Sequence, residues 1–208
     1  LPAPDYLPDT VVTYGILENT NIGYVFLTKE MRDITVNEQF FNAINGLKNT
    51  DALIIDMRAN FGGWTTATLD KAFNILFNEF HKTLEHVWRC DTISFNLCPS
   101  GDWKEYQING KDPDYYDRPI AVLLGPTCVS MGDITAQRLR YHPMVRFFGA
   151  SSSACLGWLG EVLNCPDWLL YLSIGDIYHT SEPNVFLNRK EFPIDYPVWF
   201  NKDDVAKG

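Results

Sequence analysis

Ala52-Leu53-Ile54-Ile55-Asp56-Met57-Arg58-Ala59-Asn60-Phe61-Gly62-Gly63 opens as an unbroken apolar run and closes on paired glycines. A run such as Ala52 to Met57, without polar alternation, predicts a strand covered on both faces, as in a parallel sheet. The pattern returns at Pro119 to Leu124, where Gly125-Pro126-Thr127 breaks it, and at Val145 to Phe148, which Gly149 ends. Helical spacing of apolar residues lies between and around these runs. Val36, Phe40, Phe41, Ile44 and Leu47 predict an amphipathic helix over Thr35 to Leu47. Leu69, Ala72, Phe73, Leu76 and Phe77 predict one over Thr65 to Phe80. Ile134, Ala136 and Leu139 predict one over Ser130 to Arg140, whose basic last turn suits a helix C-terminus. The repeated strand–loop–helix order predicts an α/β fold with a mostly parallel sheet and crossover helices.

The flanks are less regular. Pro2, Pro4 and Pro8 mark residues 1–10 as a linker, and 11–208 reads as one domain. Val11 to Ile16 and Ile22 to Leu27 predict two strands around the turn-prone Glu18 to Asn21. Residues 81–118 are turn-rich and read as hairpin strands plus an excursion from the sheet. Trp168 to Ile174 and Ile177 to Thr180 predict a hairpin around Gly175-Asp176.

Of 208 residues, 46% are hydrophobic and 21% charged, enough apolar side chain for a real core. The net charge of −9 argues against nucleic acid as a partner, because phosphate binding needs a basic surface. No apolar run is long enough to cross a bilayer. Leu1 is not an initiator Met, so upstream sequence is expected to have been removed. Five cysteines allow two local disulfides, Cys90 with Cys98 and Cys155 with Cys165, leaving Cys128 over; that pattern suits an oxidising compartment. Five thiols is the alternative. No pair has zinc-knuckle spacing, so neither metal nor cofactor is expected.

Two strand-to-helix junctions carry the chemistry, since ligands of open α/β sheets bind beyond the strands' C-terminal ends. At the first, the glycines Gly62 and Gly63 let the backbone approach a ligand. At the second, Ser130 stands where a buried strand gives way to a helix whose N-terminus favours developing negative charge. Ser130 with Asp133 also fits a capping box. A cap turns its hydroxyl into its own helix, whereas a nucleophile turns it outward. Asp56 and Arg58 read as an ion pair fixing the glycine loop.

These segments resemble the tail-specific (C-terminal processing) and tricorn-core serine peptidase family. Ala52 to Gly63 is similar to its "lIiDlRgNgGG" block. Pro119 to Ile134 is similar to its "pvavLvn…SasEi" block, with Asp133 replacing the Glu of S-x-x-E, and Val145 to Gly149 to the strand that follows. Ile194-Asp195-Tyr196-Pro197-Val198 resembles its "PDi.V" strand, and 203–208 the start of its last helix. The resemblance implies a ClpP/crotonase-like sheet, a polypeptide substrate, and hydrolysis through an acyl-enzyme on Ser130. Met131 and Gly62 or Gly63 would form the oxyanion hole, and Glu191 would match the family's acidic helper. It also implies a peptidase domain in the cell envelope, periplasmic or extracellular. Many members use a Lys base in a "tfGKg" motif, but the matching stretch here, Gly149 to Gly157, has none, and no Lys occurs between Asp112 and Arg189. The tricorn-like branch uses a His from upstream, which here would precede Leu1. Among the chain's own histidines, His142 lies a helix length of about 15 Å from Ser130, which leaves His179, on a late strand, as the substitute candidate. Cys155 stands near the missing Lys and reads as structural. Ser151, Ser152 and Ser153 read as a polar loop. The alternatives are a peptide-binding module without hydrolysis and an acyl-transfer enzyme, which would need a basic patch for coenzyme A.

Overall fold

The computed structural model describes residues 11–29, 34–63, 69–90, 96–99, 106–110, 115–157, 163–165, 168–170, 172–183, 185–200 and 203. The linker expected at 1–10 and all of the expected last helix but Asp203 lie outside them.

Strands β1 (Val12–Ile16), β2 (Ile22–Leu27), β3 (Ala52–Asp56), β6 (Ile120–Leu124), β7 (Val145–Gly149) and β11 (Tyr196–Pro197) form one sheet in the order β1-β2-β3-β6-β7-β11. Every pairing from β2 to β11 is parallel; only β1 runs antiparallel, as the hairpin partner of β2. Helices α1 (Ile34–Gly46), α2 (Asp70–Leu76) and α3 (Met131–Leu139) make the crossovers. The expected mostly parallel α/β sheet is therefore observed. Its helix-covered face is the core. There Val25, Leu53, Ile55, Val122, Leu124 and Phe147 meet Phe40 and Ile44 of α1, Phe73 and Leu76 of α2, and Ala136 and Leu139 of α3.

The apolar runs are covered less evenly than their composition suggests. In β6, Ile120, Val122 and Leu124 are buried while Ala121 and Leu123 are half-buried. In β7, Val145 and Phe147 are buried while Arg146 is exposed and Phe148 half-buried. The second face of the sheet is thus apolar but only partly covered.

A smaller sheet, β10 (Gly175–His179), β4 (Leu84–Arg89) and β5 (Leu97–Pro99), packs on the far side of α3. Leu84 and Ile177 join Met131, Ile134 and Leu156 in a second apolar cluster. Helix α3 is therefore buried along its whole length, which explains why Arg138 needs internal partners: it donates to Asp70 Oδ1 at 2.9 Å and lies over the Phe73 ring. The expected hairpin of Trp168 to Ile174 with Ile177 to Thr180 does not form. β9 (Trp168–Leu170) pairs with β8 (Leu163–Cys165), and β10 pairs with the distant β4. The expected Thr65 to Phe80 helix is shorter, because Phe77 is extended and closes α2; residues 64–68 lie outside the described set.

Cys90, next after β4, and Cys98 of β5 form a disulfide, with Cα atoms 5.5 Å apart. Cys155 is an exposed thiol, so its expected bond to Cys165 is absent, and Cys128 is a buried thiol. A short bridge of sequence separation 8 removes roughly 2–3 kcal/mol of loop-closure freedom from the unfolded chain. Melting with and without dithiothreitol is expected to show the small sheet loosened by reduction, and Cys90→Ser with Cys98→Ser to reproduce the reduced curve.

Candidate active site

Backbone bonds on either side of Ser130 fix the turn between β6 and α3. Cys128 N–H donates to Gly125 O at 2.9 Å, and Gly132 N–H to Val129 O at 2.9 Å. Squeezed between these bonds, Ser130 takes φ 56° and ψ −117°, a region nearly closed to residues with a Cβ and costing about 1–3 kcal/mol. Its side chain makes no capping bond to α3. The capping-box reading therefore fails, and the hydroxyl sits on a sharp strand-to-helix bend of the type that presents a nucleophile.

The glycine bend lies directly against it. Gly62 has φ 75°, and a Cβ there would stand 2.8 Å from Ser130 Cβ and Val129 O, and 3.2 Å from Met131 N. Asn60 ties the two junctions together. Its carbonyl accepts Val129 N–H at 3.0 Å, its Oδ1 accepts Gly62 N–H at 2.8 Å, and a Cβ on Gly132 would strike its side chain at 2.9 Å. Sequence reasoning missed Asn60. The available signal was an Asn two residues before a turn glycine, where its side chain can mimic a backbone turn. Below the bend, buried Asp56 holds Arg58 through Nη2 at 2.6 Å and Nε at 3.0 Å and accepts Tyr24 Oη–H at 2.6 Å. This is the expected ion pair. Burial and the adjacent Asp56 push the Tyr24 hydroxyl well above its usual range.

The backbone donors divide unevenly. Met131 N–H is the first of α3, where helix geometry offers it no carbonyl to donate to. Gly62 N–H is occupied by Asn60, which leaves Gly63 as the next amide along the bend.

The loop 150–157 wraps the far side of the serine turn. Ala150 N–H reaches Leu124 O at 3.2 Å, and Ser153 N–H reaches Cys128 O at 2.9 Å. Asp133 Oδ2 accepts from Ser153 Oγ at 3.3 Å and from Cys155 N–H at 3.2 Å, which fastens that loop to α3. Burial pushes the Asp133 carboxyl up, against the pull of the Cys155 amide and the Ser153 hydroxyl, while Asp133 Oδ1 and Ser152 Oγ have no hydrogen-bond partner among the described residues. Ser151 Oγ accepts Phe192 N–H at 2.8 Å. Glu191 is therefore carried beside this loop, exposed, without a bond to Ser130 or to a histidine among the described residues.

The four histidines have other business. His142 is buried, with Nδ1 accepting Met144 N–H at 3.1 Å. His81 packs against Tyr141 and bridges to Ile108, and His86 meets Tyr106 Oη at 2.9 Å. His179 contacts Gln137, Arg140 and Tyr141 at the C-terminal end of α3, opposite to Ser130. It is no substitute base. Burial and the charge of Arg140 push its imidazole from the usual 6.5 to about 4. Between those values the unfolded chain binds a proton that the folded one refuses. Stability is thus full above pH 6.5 and falls on acidification toward pH 4, by at most about 1.4 kcal/mol for each step of one pH unit. Melting temperatures from pH 7 to 4 are expected to drop, with the slope reduced in His179→Gln.

The model of peptidase family S41 matches residues 21–196. A peptidase candidate from Parabacteroides merdae has a TM-score of 0.72 at 18% identity, over 98% of this chain and 62% of its own. Mature CPAF in complex with lactacystin has a TM-score of 0.72 at 14% identity, over 94% and 51%. The photosystem II D1 C-terminal processing protease has a TM-score of 0.63 at 16% identity, over 91% and 48%. The chain therefore spans about half to three fifths of these relatives' lengths. Among curated proteins none matches.

Proposed function

Because the chain belongs to peptidase family S41, we propose that it carries the nucleophilic half of a serine peptidase, with Ser130 as the attacking residue. Ser130 Oγ adds to the scissile carbonyl while a base takes its proton. The C–N bond then breaks as that proton passes to the leaving amine, and water hydrolyses the remaining ester. The N–H of Met131 and that of Gly63 hold the oxyanion. Gly62, whose amide serves Asn60, provides the bare backbone that lets the bend close on Ser130. Glu191 is the acidic helper, and the general base is a His upstream of Leu1. The observation that carries this reading is the strained, uncapped backbone of Ser130 against the glycine bend. The Cys90–Cys98 disulfide supports a site of action in the cell envelope or outside the cell.

A fluorophosphonate probe tests it. Labelling of the full-length protein at Ser130, lost in Ser130→Ala, is the expected result; labelling that survives the substitution overturns it. A peptide-binding module without hydrolysis is the second reading, favoured by the absence of a Lys or His bonded to Ser130 among the described residues. Peptide recovered intact by mass spectrometry after prolonged incubation with the full-length protein would select that reading.

A further inference from the structure

The partly covered face of the main sheet holds a hollow that the hydrolytic reading leaves unused. Its volume is about 580 Å³, and Arg58, Leu123, Phe148, Gly149, Val198, Trp199 and Phe200 line it. Leu123 and Phe148 are register neighbours on β6 and β7, and Tyr196 of β11 stacks on Phe148 with ring centroids 4.6 Å apart. Beyond β11 the chain turns a wall over this floor. Val198 N–H donates to Gly149 O at 2.9 Å, and a Cβ on Gly125 would stand 2.8 Å from the Trp199 ring. Phe200 packs edge-on against Trp199 and is 70% exposed at the mouth. Neither Ser130 nor Met131, Gly62 or Gly63 lines it.

The lining selects a chemistry. Five of its seven residues, Leu123, Phe148, Val198, Trp199 and Phe200, offer hydrocarbon or aromatic side chains, so an occupant gains chiefly by burying an apolar body, and the volume is that of a small-molecule site. The one charged group in the lining is Arg58, whose side chain is 53% exposed. Asp56 occupies its Nε and Nη2 but is itself 1% exposed and also committed to Tyr24, while Arg58 Nη1 has no acceptor among the described residues. The ion pair aims the guanidinium without covering it, and a guanidinium edge suits a carboxylate.

We propose that this hollow binds a medium- or long-chain monocarboxylate, a fatty acid, with its chain between Phe148, Trp199 and Phe200 and its head on Arg58. The inference is independent of hydrolysis at Ser130.

Titration calorimetry of the chain with sodium dodecanoate below its micellar concentration tests it, with dodecylamine and acetyl-Leu-Phe-Leu carboxylate as comparison ligands. Saturable binding of one dodecanoate is expected, with dodecylamine at least tenfold weaker. Phe200→Glu, at an exposed position, is expected to weaken dodecanoate at least tenfold while Phe200→Lys does not, and Arg58→Gln is expected to remove the preference over the amine. Equal binding of amine and carboxylate overturns the proposal, as does binding untouched by Phe200→Glu. Tighter binding of the peptide acid overturns it in favour of a peptide site. No binding, with Phe200→Glu turning a dimer into monomers in sedimentation, overturns it in favour of an interface between copies. Fluorophosphonate labelling of Ser130 is read separately, so either conclusion can fail alone.

Discussion

Ser130→Ala is expected to lower peptide hydrolysis by the full-length protein by four orders of magnitude or more, whereas Ser130→Gly is expected to do the same and also stabilise the fold. The first effect follows from the role proposed for the hydroxyl: residues of a nucleophile–base unit fail together, and what survives is the oxyanion site and binding alone. The second follows from the backbone. At φ 56° and ψ −117° a Cβ is strained and glycine is not. Alanine keeps the strain, glycine releases it, and the difference between the two in unfolding free energy, read from denaturant midpoints, is expected to be about 1 kcal/mol. A residue serving only as a helix cap predicts instead that both variants fall below the wild type, Ala further than Gly, with activity intact, so a Ser130→Gly more stable than the wild type separates strain from capping. Equal stability of Ser130→Ala and Ser130→Gly would remove the strain argument. Undiminished hydrolysis by either would remove Ser130 from the chemistry.

The parallel sheet is legible in the sequence because burial on both sides leaves a mark in a single strand: Ala52 to Met57 and Pro119 to Leu124 carry no polar alternation. Even so, the runs do not tell which face is fully covered, and Leu123 and Phe148 on the partly covered face read like core residues. The glycine bend and Ser130 both follow buried strands, as their positions in the sequence predict. What the serine does there is not legible, because Ser-x-x-Asp suits a cap and a nucleophile alike. A backbone angle separates the two, and that angle is imposed by Gly125, Val129 and Asn60 from outside the pattern. The pairing of β10 escapes the sequence for a similar reason. Gly175-Asp176 has the composition of a tight turn, but the strand after it is claimed by β4, about ninety positions earlier, where burial of Ile177 against Leu84 outweighs a local hairpin. The Cys90–Cys98 bridge is readable because its ends are close in sequence. The same reasoning pairs Cys155 with Cys165 and fails, because Asp133 and Cys128 direct the Cys155 loop toward α3.

Gly62→Ala is expected to cripple activity through a single added methyl. Two costs coincide. The position has φ 75°, which an L side chain adopts at about 1–2 kcal/mol. The added Cβ would also meet Ser130 Cβ and Val129 O at 2.8 Å, and Val129 O is backbone that cannot rotate away. The bend must therefore back off from the serine turn by a fraction of an ångström. That movement separates the amide of Gly63 from that of Met131 and loosens the Asn60 bond to Gly62 N–H, both of which set the proposed oxyanion hole. Loss of one such donor costs about 2.7–4 kcal/mol of transition-state stabilisation, so kcat is expected to fall by about two to three orders of magnitude with KM nearly unchanged. Fluorophosphonate labelling separates this from simple unfolding. Labelling of Gly62→Ala at Ser130 is expected to be slowed in proportion to kcat at temperatures where circular dichroism shows the fold intact. Asn60→Asp keeps an acceptor for Gly62 N–H and is expected to retain far more activity than Asn60→Leu, which fills the same space without one. If Gly62→Ala keeps full activity, the bend does not form the oxyanion hole, and the proposed division of labour between Gly63 and Met131 falls with it.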